Sequence, residues 1–455
     1  MKNLQKRYIF VFFKNFIILI NINMLERPPK ATKQEEFDSF KMAFSSDIQT
    51  LNSEYPYWDK VKYITTKDRL SPRQLWFALK LIRQWNRTIL KFGKYHFSFT
   101  VTDEMFELLH YFDKNIVGSL SSENLIPSEN KARYLISSIM EEAIASSQME
   151  GAATTRRIAK DMLRKNEKPK NKGQQMILNN YLTINYIKDH SHNELSLGIL
   201  KEIHRSMTAN TLDDEKDVGK LRNNDNFMVM DGITGEVAHY PPSCNELEEL
   251  LFDMENFFNK NDKTFIHPIV KGIIIHFMLA FIHPFVDGNG RTARSLFYWY
   301  MMKQGYLLIE YISISRIIHK SKKQYENVFL HTEYDDNDLT YFILYNLRKM
   351  KIAFEELKIY IKRKTDEDNS ISLVAHIKGI NQRQAQMIKI LQEKPNSSFT
   401  VKEIENRFSV SNLTARTDLH GLTELGYMSE IQLNKVKKGY IKSEKFDILM
   451  NKFSS

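Results

Sequence analysis

The sequence predicts a mainly α-helical protein built from more than one domain, and three observations carry that prediction. The chain has 455 residues, which exceeds what one ordinary hydrophobic core holds and favours two to four domains. Apolar residues make up 42% of the chain, as expected for a folded protein in water. Only 16 Gly and 11 Pro are present, too few for the many turns of a β-sandwich.

Charge and cysteine content narrow the functional classes. The net charge of +10 would attract nucleotides or nucleic acid, although a solvated lysine surface is the commoner reason for such an excess. The single Cys244 cannot form an internal disulfide, and no Cys/His spacing resembles a zinc site. These features predict a cytoplasmic protein and exclude a disulfide-stabilised secreted fold.

Residues 1–24 are set apart from the fold. Their apolar run "YIFVFFKNFIILINI" resembles a signal peptide, but Lys14 divides it into pieces too short to span a bilayer. Met24 begins a more ordinary stretch. We expect residues 1–24 to be a non-native or unstructured leader, with a weak membrane anchor as the alternative.

The rest of the chain divides by texture. Residues 25–130 form an N-terminal helical region, in which "SPRQLWFALKLIRQWNRTIL" places apolar residues at helical spacing. A helical core is expected over 131–361, and the polar segment "KRKTDEDNSIS" predicts a linker over 362–375. Residues 376–455 then form a separate C-terminal domain.

Three elements of the core lead to its most unusual stretch. A helix over 131–151 is closed by Gly151, and residues 223–242 form an irregular hairpin, called the flap below. The segment "PIVKGIIIHFMLAFI" at 268–282 is apolar almost all round, which predicts a buried central helix. That helix runs directly into "HPFVDGNGRTAR".

The glycine-rich part of this stretch predicts an anion site. Gly288 and Gly290 allow close backbone approach, and Asn289 tolerates a left-handed turn. The first amides of the following helix lack internal acceptors and lie at its positive end. Arg291 and Arg294 are three residues apart, hence on one helical face, where guanidinium groups pair with phosphate.

Two further side chains suit phosphate chemistry. His283 has an ordinary pKa near neutrality and is a candidate general base, while Asp287 offers a carboxylate suited to Mg²⁺. Pro284 and Phe285 are interpreted as structural. Each residue alone has a common structural explanation, so the joint arrangement carries the prediction.

"HPFVDGNGRTAR" resembles the signature of the Fic family, His-x-Phe-x-Asp/Glu-Gly-Asn-Gly-Arg-x-x-Arg, at all eight defining positions. The resemblance implies a Fic-type helical core with a β-hairpin flap, and AMP transfer from ATP to a Ser, Thr or Tyr hydroxyl of a target protein. It implies that His283 is the general base and Asp287 the Mg²⁺ ligand. The implied ATP-binding residues are Gly288, Asn289, Gly290, Arg291, Thr292, Ala293 and Arg294.

The residue at position 290 bears on the reaction. Death-on-curing toxins, which transfer the γ-phosphoryl group, resemble this motif but carry Lys where Gly290 stands. Gly290 therefore favours AMP transfer, although other nucleotidyl or phosphoryl transfer stays open because a phosphocholine-transferring member has an intact motif.

Upstream, "SSQMEG" resembles the family's inhibitory motif, Ser/Thr-x-x-x-Glu-Gly/Asn. The resemblance implies that Ser146, Glu150 and Gly151 form a brake in which Glu150 pairs with Arg294. Glu150 would then take the place of an ATP phosphate and belong to the ATP site. The motif lies in the same chain, so inhibition is expected in cis.

The flap resembles the family's target-binding hairpin, which implies that a target protein is bound there as an added strand. Residues 381–428 predict a helix-turn-helix and resemble bacterial winged helices. DNA is thus a candidate partner through "KVKKGY" and the helix after Ser411, with protein contact as the alternative. A homodimer is a further candidate, and no membrane partner is expected.

Two other functions stay open on the sequence. The first is a DNA-binding regulator whose Fic-like region senses nucleotide without turnover, against which the intact His283 speaks. The second is removal of AMP from a target, with Glu150 aligning water. The role of Tyr325 is open as well, because this residue either packs near the adenine or is a buried helix tyrosine.

Overall fold

A computed structural model describes most of the chain. The described residues are 8–13, 16–21, 25–32, 34–35, 39–40, 43–66, 70–116, 131–230, 235, 237–260, 264–375, 377, 379–408, 410–433 and 438–451. By backbone contacts the chain divides into two compact units, one holding residues 1–160 and 169–355 and the other 161–168 and 356–455. Each unit has its own core.

The described chain is mainly α-helical, which confirms the predicted fold class. The helices that begin in the first unit or connect it to the second are α1 (Ser46–Ser53), α2 (Trp58–Val61), α3 (Pro72–Trp85), α4 (Asp103–Ile116), α5 (Lys131–Met149), α6 (Arg156–Lys165), α7 (Lys172–Asp189), α8 (Leu197–Thr208), α9 (Leu247–Asn259), α10 (Pro268–Ile282), α11 (Asn289–Lys303), α12 (Ile314–His319), α13 (Lys322–Tyr334) and α14 (Thr340–Ala375). Short 3-10 helices occupy Glu215–Asp217, Cys244–Glu246 and Leu307–Tyr311.

Helix α10 lies at the centre of the first unit, as its apolar sequence predicts. Pro268 occupies its first turn, where a missing N–H costs nothing. Ile274, Phe277 and Leu279 are fully buried, and α10 packs against α11 and α9. A helix buried on all sides has a fixed position, so its C-terminal end holds the following loop in place.

The N-terminal part contains strands where the sequence predicts helices or no regular structure. Within the expected helical region 25–130, α3 ends at Trp85 and β3 (Arg87–Phe92) pairs antiparallel with β4 (Tyr95–Thr100). The β-branched and aromatic residues around the Gly93 turn explain this hairpin.

Within the expected unstructured leader, β1 (Tyr8–Phe13) pairs antiparallel with β2 (Phe16–Asn21). Both strands consist almost wholly of aromatic and β-branched residues, which favour strands over coil.

The predicted linker over 362–375 is instead the last part of α14. The segment has no Gly or Pro, and its Lys, Arg and Glu residues are good helix formers, so the helix continues although the apolar periodicity ends. The boundary between the units falls at Glu355, shortly before the expected end of the core at residue 361.

The second unit has the predicted winged-helix arrangement. Its elements are α15 (Gln382–Glu393), β7 (Ser398–Phe399), α16 (Val401–Phe408), α17 (Asn412–Glu424), β8 (Met428–Gln432), β9 (Lys438–Lys442) and α18 (Phe446–Asn451). The strands form an antiparallel sheet in the order β7-β9-β8. Leu391, Ile404, Leu419 and Phe446 are fully buried in one core. Among the described helices of the whole chain, none combines the length and apolarity that crossing a bilayer requires.

Candidate active site

The loop between α10 and α11 is locked by its own side chains. His283 ends α10 in the left-handed conformation (φ 47°), and Gly288 precedes α11 with φ 83°. The Asn289 side chain accepts from the Phe285 N–H at 3.0 Å and donates to the Phe285 carbonyl at 2.8 Å. The predicted anion-binding turn, Gly288 to Gly290 and called the anion turn below, is therefore rigid. Asn289 itself lies in the first turn of α11 and stabilises the loop through its side chain.

His283 is held as a neutral base. Its Nδ1 lies 3.3 Å from the Ala280 carbonyl oxygen, which only accepts, so Nδ1 carries the ring proton and Nε2 presents a lone pair. Burial lowers the pKa of His283 to about 4. At neutral pH the imidazole is uncharged and able to take a proton from a hydroxyl group.

Arg291 is a buried guanidinium with spare donors. Its side chain is fully buried, and Nη1 donates to the Met207 carbonyl at 3.0 Å. Its Nε and Nη2 have no hydrogen-bond partner within the described part of the chain, and burial lowers its pKa. Buried donors without acceptors are costly and rare, so their presence at the positive end of α11 indicates a site for an anion.

Arg294 is paired with the predicted brake. Its Nη2 donates to Glu150 Oε1 at 2.9 Å and to the Ser146 carbonyl at 2.9 Å, while Nε donates to Ser146 Oγ at 2.8 Å. Burial would raise the pKa of Glu150, but the Arg294 charge and hydrogen bond outweigh it and lower that pKa. Gly151 ends α5 with φ 91°, as expected of a cap.

Gly290 is where the Glu150 carboxylate meets α11. A Cβ at this position would overlap Glu150 Oε1 and approach Arg294 Nη1 to 3.2 Å. The carboxylate therefore lies against the first turn of the helix, where the sequence predicts a phosphate. The site is already occupied by negative charge from the same chain.

Asp287 is exposed and accepts from the Gly288 N–H through Oδ1. Among the described residues no three His, Cys, Asp or Glu side chains gather as a metal site. Mg²⁺ is commonly bound by one or two carboxylates with the rest of its shell from substrate phosphates and water. A lone carboxylate beside an anion site fits that chemistry.

Two residues of the predicted ATP site, Thr292 and Ala293, have side chains buried within the unit. Thr292 is buried and donates through Oγ1 to the Gly288 carbonyl at 2.9 Å, and Ala293 is fully buried. Both lie on the inner face of α11. Tyr325 is likewise buried, with its hydroxyl 2.8 Å from His276 Nε2, which agrees with the structural alternative for this residue.

His204 supports the turn from behind and was missed from the sequence. Its ring stacks on Phe285 at 3.7 Å, Nδ1 accepts from the Gly219 N–H, and Nε2 donates to the Asp287 carbonyl at 2.8 Å. A Cβ at Gly288 would lie 2.6 Å from Thr208 Cγ2. His204 lies in an ordinary amphipathic helix and belongs to no recognisable motif, so the sequence does not indicate this role.

The flap is a small hairpin whose turn, including Asp231 and Gly232, lies outside the described residues. Its strands β5 (Val229–Met230) and β6 (Val237–His239) pair antiparallel. Arg222 and His239 bind both ends of the flap to the loop around His283, and neither was predicted.

In the second unit, α17 is the helix after Ser411 that the sequence predicts as a DNA contact. Ser411 caps the helix, and Asn412, Leu413, Arg416 and Thr417 are exposed. Residues 435–437 of the predicted basic wing lie outside the described residues. Lys438 of that wing pairs with Glu430 at 2.6 Å.

Comparison with known proteins gives two domains. Residues 194–301 match the sequence model of the Fic/DOC family, and residues 383–441 match that of an HTH domain. The first match covers α8 to most of α11, including the whole of the anion turn and both arginines.

Individual relatives match about a quarter of the chain. Protein adenylyltransferase Fic of Drosophila virilis is 32% identical over 113 residues, 25% of this chain and 21% of that protein. Protein adenylyltransferase fic-1 of Caenorhabditis briggsae is 34% identical over 116 residues, 25% of this chain and 21% of that protein. The matched region thus spans about a fifth of these relatives' length. A crystal structure of a Fic family protein from Desulfovibrio desulfuricans G20 is 19% identical, with a TM-score of 0.49, and covers 76% of this chain and 98% of that one.

Proposed function

We propose that this chain, which carries a Fic/DOC-family domain over residues 194–301, is a protein adenylyltransferase that moves AMP from ATP to a Ser, Thr or Tyr hydroxyl of a target protein. One observation carries the proposal: the neutral His283 is joined by a rigid turn to Arg291, whose buried Nε and Nη2 have no acceptor among the described residues. A base for a hydroxyl and a cradle for phosphate are the two requirements of this transfer.

The reaction follows from this arrangement. The target hydroxyl oxygen bonds to the α-phosphorus of ATP while its proton passes to His283 Nε2. The bond from the α-phosphorus to the bridging oxygen breaks, and pyrophosphate leaves. The amides of the first turn of α11, Arg291 and Arg294 bind the phosphate oxygens and stabilise the charge that develops on them.

Magnesium fits one position of the site. Asp287 would hold Mg²⁺ together with phosphate oxygens, and the ion would neutralise part of the phosphate charge. The exposed carboxylate and its place beside the anion turn support this assignment.

Glu150 is proposed to inhibit the enzyme in cis. Its carboxylate occupies one donor of Arg294 and lies against Gly290, so it opposes a phosphate in the same position by charge and by volume. ATP would then bind only in a pose that does not react until α5 moves.

Label transfer tests the function. The chain, Glu150→Gly and His283→Ala are incubated with ATP labelled at the α- or the γ-phosphate. We expect α-label on protein, more in Glu150→Gly and none in His283→Ala. Transfer of γ-label alone would establish phosphoryl transfer instead, and loss of α-label from an already modified target would favour AMP removal.

A second function is proposed for the C-terminal domain. Residues 383–441 match an HTH domain, and Arg416 and Thr417 are exposed on α17, the helix that such domains place in the major groove of DNA. In a gel shift with the full chain, we expect salt-dependent duplex binding that Arg416→Ala weakens and Arg348→Ala does not. Absence of binding to any duplex at low salt would favour protein contact.

Location and assembly stay predictions. The cytoplasmic location depends on the single cysteine, and the homodimer on the resemblance. The domain limits proposed from the sequence, 25–130, 131–361 and 376–455, remain a working division of the chain beside the two units of the structure.

A further inference from the structure

The backbone around His283 accepts hydrogen bonds from the flap. At the C-terminal end of a helix the last carbonyls lack internal donors. Here the Phe281 carbonyl accepts from His239 Nε2 at 2.8 Å, and the His283 carbonyl accepts from Arg222 Nε at 2.9 Å. The Pro284 carbonyl accepts from the Arg222 backbone N–H at 2.9 Å. Three carbonyls that flank or belong to His283 are therefore bound by two residues of the flap and its base.

Arg222 also joins the two ends of the flap to each other. Its side chain is 1% exposed, Nη2 donates to the Pro242 carbonyl, and Nη1 donates to the Asn224 carbonyl and to Asp225 Oδ1 at 3.1 Å each. A planar guanidinium directs its donors in fixed directions, which a lysine cannot do. One side chain thus sets the entry and the exit of the flap relative to His283.

Asp225 continues the connection on the exit side. It accepts from the Cys244 N–H at 2.6 Å and from Ser243 Oγ at 2.8 Å, and these bonds lower its pKa to about 2. Arg222 and Asp225, two charged residues, therefore connect the start of the flap with the residues that follow its end.

His239 fastens the other end of the flap. It is the last residue of β6, and its ring lies between the Phe281 carbonyl and Glu333, whose Oε2 is 2.9 Å from Nδ1. Both partners are acceptors, so both bonds require a second proton, held on the His239 ring or on Glu333. The two contacts of its ring bind β6 to α10 and α13.

We propose that Arg222 and His239 are positioning residues that hold the two described ends of the flap, residues 223–230 and 237–242, and His283 as one rigid body. The inference rests on the proposed function, in which the flap binds the target strand and His283 takes the hydroxyl proton. A target strand added to the flap would then arrive at a fixed distance from Nε2. Neither residue touches the anion turn, so their effect is on the reaction step and not on ATP.

The charges around the base agree with this arrangement. Burial is the main cause of the low pKa of His283, and the charges of His239 and Arg222 act in the same direction. Glu150 acts in the opposite direction. Glu333 faces His239 directly, with Oε2 2.9 Å from Nδ1.

Self-modification with α-labelled ATP tests the proposal in the Glu150→Gly background. Arg222→Lys keeps the charge but loses the fork, and His239→Phe keeps a ring without donors. We expect the rate at saturating ATP to fall on the order of 10- to 100-fold, as displacements of about 1 Å cause. The ATP concentration for half-maximal rate should change less than about twofold, because ATP contacts are intact. Arg348→Lys, at an exposed ion pair, is the matched control.

Rates of both variants equal to the control would overturn the proposal, as would full activity of Arg222→Lys, which would assign Arg222 a role through charge alone. A rise in the half-maximal ATP concentration equal to the loss of rate would also overturn it, because that result indicates damage to the whole site.

Hydrogen exchange tests the rigid body without any substrate. His239→Phe should accelerate amide exchange in the flap and at residues 281–285 together, while α17 stays unchanged. Unchanged exchange at 281–285 would contradict the coupling. If exchange responds as expected but Glu150→Gly transfers no label, the proposed function fails and the flap anchor stands.

Discussion

Arg294 Nη2 lies 2.9 Å from Glu150 Oε1, and the same guanidinium donates through Nε to Ser146 Oγ. The arginine is 4% exposed and the glutamate 32%, so the pair is sheltered on one side and open to solvent on the other. The pair joins α5 to α11 at the anion turn. An activating event therefore has to break the contact between Glu150, at the end of α5, and Arg294 to release the anion site.

Replacement of Glu150 by Gly should raise AMP transfer. Removing the carboxylate frees a charge-assisted bond to Arg294, and bonds of this kind contribute about 1.5–3 kcal/mol, which corresponds to roughly 10- to 100-fold in rate. Incorporation of α-label per minute measures the effect. Glu167→Gly, at an exposed glutamate outside any helix, is the control and should have the activity of the unchanged chain. Equal activity of the Glu150 and Glu167 variants would remove the brake.

The rate should be insensitive to mild acid. His283 has a pKa of about 4, so it stays neutral above that value and is lost as a base only when the pH falls through it. In Glu150→Gly the rate at pH 5.5 should remain within about twofold of that at pH 7.5. A fall of about tenfold would indicate an ordinary histidine pKa near 6.5 and contradict the buried neutral base.

Stability should decline in acid because several histidines are buried uncharged. Burial lowers the pKa of His204, His283 and His331 to about 4 and that of His276 to about 3, from 6.5. Between about pH 4 and 6.5 the unfolded chain binds more protons than the folded one, so the free energy of unfolding falls as the pH is lowered through this range. Urea unfolding at pH 7 and pH 5 measures the difference.

The control for this prediction is His204→Gln, which should reduce the pH dependence, beside His110→Gln at an exposed position, which should not. Identical unfolding free energies at the two pH values would show that these histidines are not buried as described.

Replacement of Gly290 by Ala should weaken ATP binding. A Cβ there overlaps Glu150 Oε1, and in Glu150→Gly it would enter the volume expected for phosphate. We expect ATP affinity in the double variant to fall on the order of tenfold or more, about 1.4 kcal/mol, by calorimetry. Gly198→Ala, whose Cβ meets only Ser196 Oγ at 3.7 Å, should leave the affinity unchanged. Unchanged affinity in Gly290→Ala would place the phosphate elsewhere.

The sequence predicts the parts of this protein that depend on contiguous motifs. The buried helix α10, the anion turn and the helices of the C-terminal domain follow from local patterns, and α10 has the predicted bounds. The turn is recognisable because Gly288 and His283 need positive φ within a few residues of each other. Contacts between distant segments leave no such pattern. His204 reaches Asp287 and Arg222 reaches His283 only after folding, and neither residue stands in an unusual context.

The differences between the predicted and the observed elements have physical reasons of the same kind. Helical spacing continues from α3 into "NRTIL", but pairing with β4 turns that segment into a strand. Polarity suggested a linker at 362–375, yet good helix formers extend α14 through it. Thr292 and Ala293 lie in α11 with buried side chains, and their contact with ATP stays a prediction.

Mass spectrometry of the self-modified chain tests the central claim most directly. Glu150→Gly is incubated with ATP and Mg²⁺ beside the double variant Glu150→Gly, His283→Ala, and modified peptides are identified by the mass of the added group. We expect an AMP group on Ser, Thr or Tyr in the first protein and none in the second. A phosphoryl group in its place, or AMP addition that does not depend on His283, would contradict it.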